Sequence, residues 1–288
     1  MPARLYVVCR EMGSGKQVVM AVAALFCAGS LPAATSPSPT PSPSLSAEEI
    51  KTVVVLDDVS LPTPGEFFAA INKVDRPNWS QLSRRAGPLS TTNRPQASLN
   101  LGTRVADGFI AVEAQDGQQV KNVGQDIISL AKGLGVSQSI IARGKSISDF
   151  ADDNDWSALK EELEATEDEV KQQMNDQKDS ELVTLVTVGA WLRGVQAASG
   201  VVAANYQPAS ASLLRQPAVV EFLISRIDSL SDKIKGTPLV GRVRDGLIEL
   251  QADVSPAATP NLDTVKAIHQ TTSQLVDAIS GSGAASPQ

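Results

Sequence analysis

From about Pro64 onward, apolar residues recur at three- and four-residue spacing, which predicts helices almost throughout. Pro64 opens a short helix through Phe67, Phe68 and Ile71, and Asn78 caps another that carries Trp79 and Leu82. An irregular stretch with Gly87, Pro88 and Pro95 follows. A long segment over about 96–115 then carries Leu99, Leu101, Val105, Phe109, Ile110 and Val112, and Asp116-Gly117 breaks it. The next helix, about 118–132, holds Val120, Val123, Ile127, Ile128 and Leu130 and stops at Gly133 and Gly135. Ser137 caps one with Ile140, Ile141, Ile147 and Phe150. The acidic cluster Asp152 to Asp155 opens a charged helix to Met174. Trp156, Leu159, Leu163, Val170 and Met174 form its narrow apolar stripe, which places it on the outside.

Residues 181–206 differ. They are apolar on nearly every face, with Arg193 as the single internal charge, and this predicts the buried central helix. A membrane span fits less well, because Arg193 and Gln196 sit mid-segment among abundant Thr, Gly and Ser. Gln207-Pro208 turns the chain. A helix over about 210–235 follows, kinked or restarted at Pro217. Gly236-Thr237-Pro238 ends it and starts another to about residue 252. After a loop over 256–260, Asn261 caps a last helix through Val265, Ile268, Leu275 and Ile279. The only strand-like run is Thr52 to Leu56. The fold class read here is all-α: a multi-helix bundle of about eight to ten helices. The helices stack as antiparallel hairpins over about 96–132, 137–176, 181–235 and 238–280. No residue signature repeats between the hairpins, so a bundle is preferred to a solenoid.

The first fifty residues have a different pattern. Arg4, Arg10 and Lys16 precede an apolar run from Val18 to Cys27, and small residues with Pro32, Ala33 and Ala34 follow. That is the order of a secretory signal, cut after Ala33 or Ala34, so residues 1–34 are expected to leave. An uncleaved anchor is the alternative, and Met12 would make a cleaner start than Met1. Phe26 before Cys27 argues against a lipoprotein signal. Residues 35–50 are rich in alternating Ser and Pro, a solvated spacer. The domains are therefore signal 1–34, linker 35–50, helical domain 51–280 and a frayed tail 281–288.

Composition narrows the chemistry. The 288 residues contain two cysteines, both inside the expected signal, and one histidine. Disulfide scaffolds, Cys/His metal sites and most histidine-dependent catalysis are excluded. The formal charge is −7, which argues against nucleic acid as a partner. Gly13-Ser14-Gly15-Lys16 resembles a phosphate loop but lacks the earlier Gly, and Gln17 replaces the metal-binding hydroxyl. Asp153, Asp155, Ser157 and Glu164 have calcium-loop spacing, yet Ala158 stands where the sharp turn needs Gly, and capping is the simpler role. His269 with Asp263 or Asp277 and a serine sketches a triad that no motif supports. No metal or cofactor is expected.

Arg193 is the most informative charge. At helical spacing it shares a packed face with Leu182, Val186 and Gly189, so its guanidinium needs a partner. Glu113, which follows Gly102, Ala106 and Phe109 along one face, is the first choice, and Asp107 the second. Trp191, Asn205, Tyr206 and Arg215 cluster near the end of the central helix. With Arg193 and Glu113 they form the candidate ligand pocket. The functional expectation is an exported periplasmic or extracellular protein, non-catalytic, acting by interaction or scaffolding with a protein partner in the cell envelope. The alternative is a small-molecule binder using that pocket. A carboxylate-based hydrolase needs only two acids and stays open as the third.

Overall fold

A capping box starts the helical body. Thr63 Oγ1 accepts from Glu66 N at 3.2 Å, and the Glu66 carboxylate accepts from Thr63 N at 2.9 Å, which opens α1 (Pro64–Val74). The computed structural model describes residues 54–56, 59–75, 77–83, 89, 93–136 and 138–281. All of them lie in one compact unit spanning Leu45–Gln288. The expected signal, the whole Ser/Pro linker, the Ser137 cap and the tail beyond Gly281 lie outside the described residues.

The remaining elements are α2 (Arg94–Glu113), α3 (Gly117–Leu134), α4 (Gln138–Asp153), α5 (Trp156–Asp176), α6 (Ser180–Ala204), α7 (Pro208–Ser212), α8 (Pro217–Asp228), α9 (Asp232–Lys235), α10 (Pro238–Val254) and α11 (Leu262–Ser280). The protein is an all-α multi-helix bundle. A small antiparallel hairpin precedes it, β1 (Val54–Leu56) with β2 (Val59–Leu61), Val54 opposite Leu61. The second strand has three residues, too few to show a period in the sequence.

Local signals act where the sequence places them, with three differences; Asn93, in the expected irregular stretch, and Asp116, at the expected break, are additional caps. Asn93, Asp116, Asp155 and Asn261 each accept a backbone N–H at the start of α2, α3, α5 and α11. Gly135, at φ +83, ends α3. Asp152 and Asp153 close α4 rather than open α5, because the chain turns through Asn154 at φ +56. Asn78 makes no side-chain cap, and Trp79–Leu82 is only a 3-10 turn. The expected helix over 210–235 is three pieces. Pro217 has no N–H and keeps Gln216 out of the helical conformation, at φ −125 and ψ 58, and a second break falls at Ser229 to Ser231.

The hairpins α2–α3, α4–α5 and α10–α11 form as expected. Arg104 of α2 meets Asp126 of α3, Arg143 of α4 meets Glu162 and Glu169 of α5, and Glu249 of α10 meets Thr271 of α11. The pairing of 181–235 into one hairpin does not form. α6 packs instead between α2 and α11, and α8 packs mainly on α10. The α2–α6 contact is parallel: Arg94 meets Asp179 where both helices begin, and Asp107 meets Arg193 further along both.

That contact is made by backbone. A Cβ at Gly102 would lie 2.6 Å from the Ala190 nitrogen and closer still to the Val186 carbonyl oxygen. A Cβ at Gly189 would lie 2.9 Å from the Leu99 carbonyl carbon and closer to its oxygen. Ser98, Gly102 and Ala106 recur every fourth residue and lay a groove of small, buried side chains along α2. α6 is long and apolar enough to cross a membrane by length and composition, but 89% of its most apolar window is buried inside this bundle.

Candidate functional site

Arg193 is buried, 3% exposed, and each nitrogen of its guanidinium is engaged. Nε donates to Asp107 Oδ1 at 2.6 Å, one terminal nitrogen to Gln196 Oε1 at 3.1 Å, and the other to the Leu82 carbonyl at 2.7 Å. Asp107 is 6% exposed and also accepts from Arg104 at 2.8 Å. Arg104 is 2% exposed, and its Nε stands 3.1 Å from Asp126 Oδ2 without hydrogen-bond alignment. Two guanidiniums and two carboxylates thus neutralise one another where α2, α3 and α6 meet. Burial pushes the Asp126 carboxyl above its ordinary value; Arg104 opposes the rise and Asp107 adds to it.

Glu113 is not the partner of Arg193. It lies one and a half turns beyond Asp107, where it accepts from Lys160 at 2.8 Å and Asn72 at 2.7 Å. The other predicted residues also hold the fold together. Trp191 Nε1 donates to Gln216 Oε1 at 3.1 Å, which fixes the turn before α8. Asn205 donates to Asp75 at 3.2 Å, Tyr206 donates to the Pro260 carbonyl at 3.0 Å, and Arg215 Nε donates to the Pro256 carbonyl at 2.6 Å. Tyr206 and Arg215 both reach the 256–260 loop, whereas Asn205, Trp191, Arg193 and Glu113 are tied to other parts of the chain.

His269 is half-buried, with Nδ1 3.0 Å from the Gln196 carbonyl and 3.3 Å from Ser199 Oγ. A carbonyl only accepts, so Nδ1 carries the proton. Ser199 Oγ donates to the Val195 carbonyl at 2.7 Å. This nitrogen is therefore not placed to take a proton from Ser199, and the pair ties α6 to α11. Asp155 spends its carboxylate capping α5, with Glu164 more than two turns along the same helix. No group of three or more His, Cys, Asp or Glu converges as a metal site among the described residues.

Glu164 provides a pH-sensitive element. Burial pushes its carboxyl above the ordinary 4.5, Lys160 opposes, and Glu66, Glu167 and Asp168 add to the rise. A raised folded-state value means the stabilising contribution is complete below about pH 4.5 and is lost as pH rises through the folded value. Glu164→Gln is therefore expected to raise the urea midpoint at pH 7. The gain vanishes at pH 3.5 to 4, where both states of the wild type are protonated; an equal gain at both pH values would refute the electrostatic cause.

Two cavities among the described residues bear on function. One, about 20 Å³, lies between the chain at Leu61 to Pro64 and helices α5 and α6, with Trp191 on its wall. The buried Glu167–Lys171 ion pair, 2.6 Å, lines it, and Glu167 Oε2 has no hydrogen-bond partner among the described residues. It has room for about one water molecule. The other, about 450 Å³, is of small-molecule size and opens where α2 and α6 begin side by side. Pro95, Leu182 and Ile234 give it apolar wall. Arg94 is bound to Asp179 at 2.5 Å, and Ser231 Oγ donates to Glu181 at 3.1 Å. Lys178 and Lys233 complete it, both exposed. The sequence has no signal for this recess, since its residues come from three separated segments. No protein-family model, no curated protein and no solved structure matches this chain.

Proposed function

We propose that the protein is an exported, non-catalytic helical binding protein that takes a small molecule in the recess at the shared start of α2 and α6. The recess itself carries this reading, being about 450 Å³ with apolar wall and polar rim together. It moves the small-molecule reading away from Arg193, Trp191 and Tyr206, whose polar groups are spent on protein partners. Export rests on the charged, apolar and small-residue order of residues 1–34 and on the Ser/Pro spacer after it.

A scaffold for an envelope protein is the second reading. Ile248 is the only large hydrophobic residue strongly exposed among the described residues, so such a partner would be gripped by polar contacts. Native mass spectrometry of the protein purified from its own host separates the two. The expected spectrum starts at residue 34 or 35 and carries extra mass that leaves on denaturation. A bare polypeptide peak, or one bearing a protein partner, would replace the binder with the scaffold.

A further inference from the structure

We infer that the recess recognises a small organic anion, a carboxylate on a compact apolar body; this rests on the binder reading above. The charge balance of the lining carries the inference. Each acid already has a partner: Asp179 holds Arg94, and Glu181 accepts from the backbone N–H and hydroxyl of Ser231. Arg94 also donates to the Leu134 carbonyl at 3.3 Å. Lys178 and Lys233 have no carboxylate partner among the described residues, and they stand at the rim of a cavity with room for a ligand. The lining therefore has an excess of positive charge, in a chain whose formal charge is −7. An ammonium pair beside a concave wall of Pro95, Leu182 and Ile234 matches an anion with an apolar body.

Two helix starts at the recess contribute a field of the same sign. α6 and α10 both begin at the recess, and neither N-cap, Asp179 or Thr237, closes its helix with a side-chain bond. The Thr237 hydroxyl donates backwards, to the Ile234 carbonyl at 2.7 Å. Their N-terminal dipoles add to the lysines and favour a negative group. A cationic ligand would meet two free ammonium groups and carboxylates that are already occupied. A neutral one would leave the ammonium groups unused.

The test uses benzoate, its neutral isostere benzamide and inorganic phosphate, titrated into the full chain and followed by amide chemical shifts. Benzoate is expected to saturate with shifts centred on Lys178, Asp179 and Leu182. Benzamide should bind at least about tenfold more weakly, and phosphate should lack the apolar part of the response. The variant is Lys178→Gly with Lys233→Gln. Lys178 sits at φ +63, a conformation glycine adopts without strain, so the variant keeps its fold and its unfolding temperature shows this. Its benzoate affinity should fall at least about tenfold. Equal binding of benzoate and benzamide, or an unchanged affinity in the variant, would overturn the anion inference and leave the binder reading standing. Absence of any probe-dependent shift at these residues, with no small molecule on the host-purified protein, would overturn both.

Discussion

Gly102→Ala is expected to destabilise the fold by about 3 kcal/mol or more, a large cost for adding one methyl group. The methyl has no side chain to push aside: it meets the Ala190 nitrogen and the Val186 carbonyl, both parts of the α6 backbone. The two helices must separate, and the α2–α6 contact is the most extensive in the molecule, so the loss spreads through the core. Gly189→Ala should behave alike, since its methyl meets the Leu99 backbone of α2. The double variant should cost less than the sum, because one separation relieves both clashes. Gly241→Ala in α10 is the control. Nothing lies within 4 Å of its added carbon, so only the helix preference of alanine acts, and stability should rise by up to about 1 kcal/mol. Urea unfolding followed by circular dichroism reads all four proteins. A wild-type midpoint for Gly102→Ala would mean that α2 and α6 do not touch by backbone.

The same pair shows what the sequence made legible. α6 was identifiable because almost every position is apolar, and no helix with a solvent face has that pattern. α2 is buried just as deeply from Ala97 to Val112, yet in the sequence it is one long segment among several, with nothing marking it as central. Ser98, Asn100, Thr103, Arg104 and Asp107 dilute its hydropathy, and each is buried because it finds a partner inside the molecule. Hydropathy cannot distinguish a polar residue facing water from one facing a carbonyl. Caps and stops were readable because they act over three or four residues. The parallel α2–α6 contact was not, because it joins elements separated by three other helices, and chain order favours neighbouring hairpins.

The candidate site divides along the same line. Arg193 was identified correctly as a charge needing a buried partner, and Asp107 was among the choices. Glu113 ranks first in the sequence because it follows Gly102, Ala106 and Phe109 along one face of α2, and that face does not reveal the direction of α2 relative to α6. In a parallel pair Arg94–Asp179 and Asp107–Arg193 share nearly one offset, and Glu113 falls beyond it, beside Lys160 of α5. The recess left no trace in the sequence. Lys178 and Lys233 read as ordinary surface charges until the fold places them beside the same cavity.

Asp107→Ala is expected to cost about 3–5 kcal/mol, the usual loss when one member of a buried charged network is removed. Asp107 is the carboxylate between two guanidiniums; without it Arg104 and Arg193 are buried together with like charge, and Asp126, at the edge of the network, is the carboxylate seen beside them among the described residues. Removing an arginine is milder. Arg193→Met leaves Asp107 with Arg104, and it is expected to cost less than Asp107→Ala. Replacing Arg104 by Met, Asp107 by Leu and Arg193 by Met together removes all three buried charges and fills much of the same volume. Most of the stability should return, because the network's desolvation cost goes with its attraction. Raised salt should leave these differences nearly unchanged, since buried charges are poorly screened. Urea midpoints of the single and triple variants at low and high salt decide the matter. Should the triple variant be less stable than Asp107→Ala, the network would contribute net attraction beyond its desolvation cost, and its role would be to stabilise the α2–α6 contact. Recovery in the triple variant would instead assign these charges to specificity: they fix the parallel register of two helices whose small, smooth faces would otherwise slide.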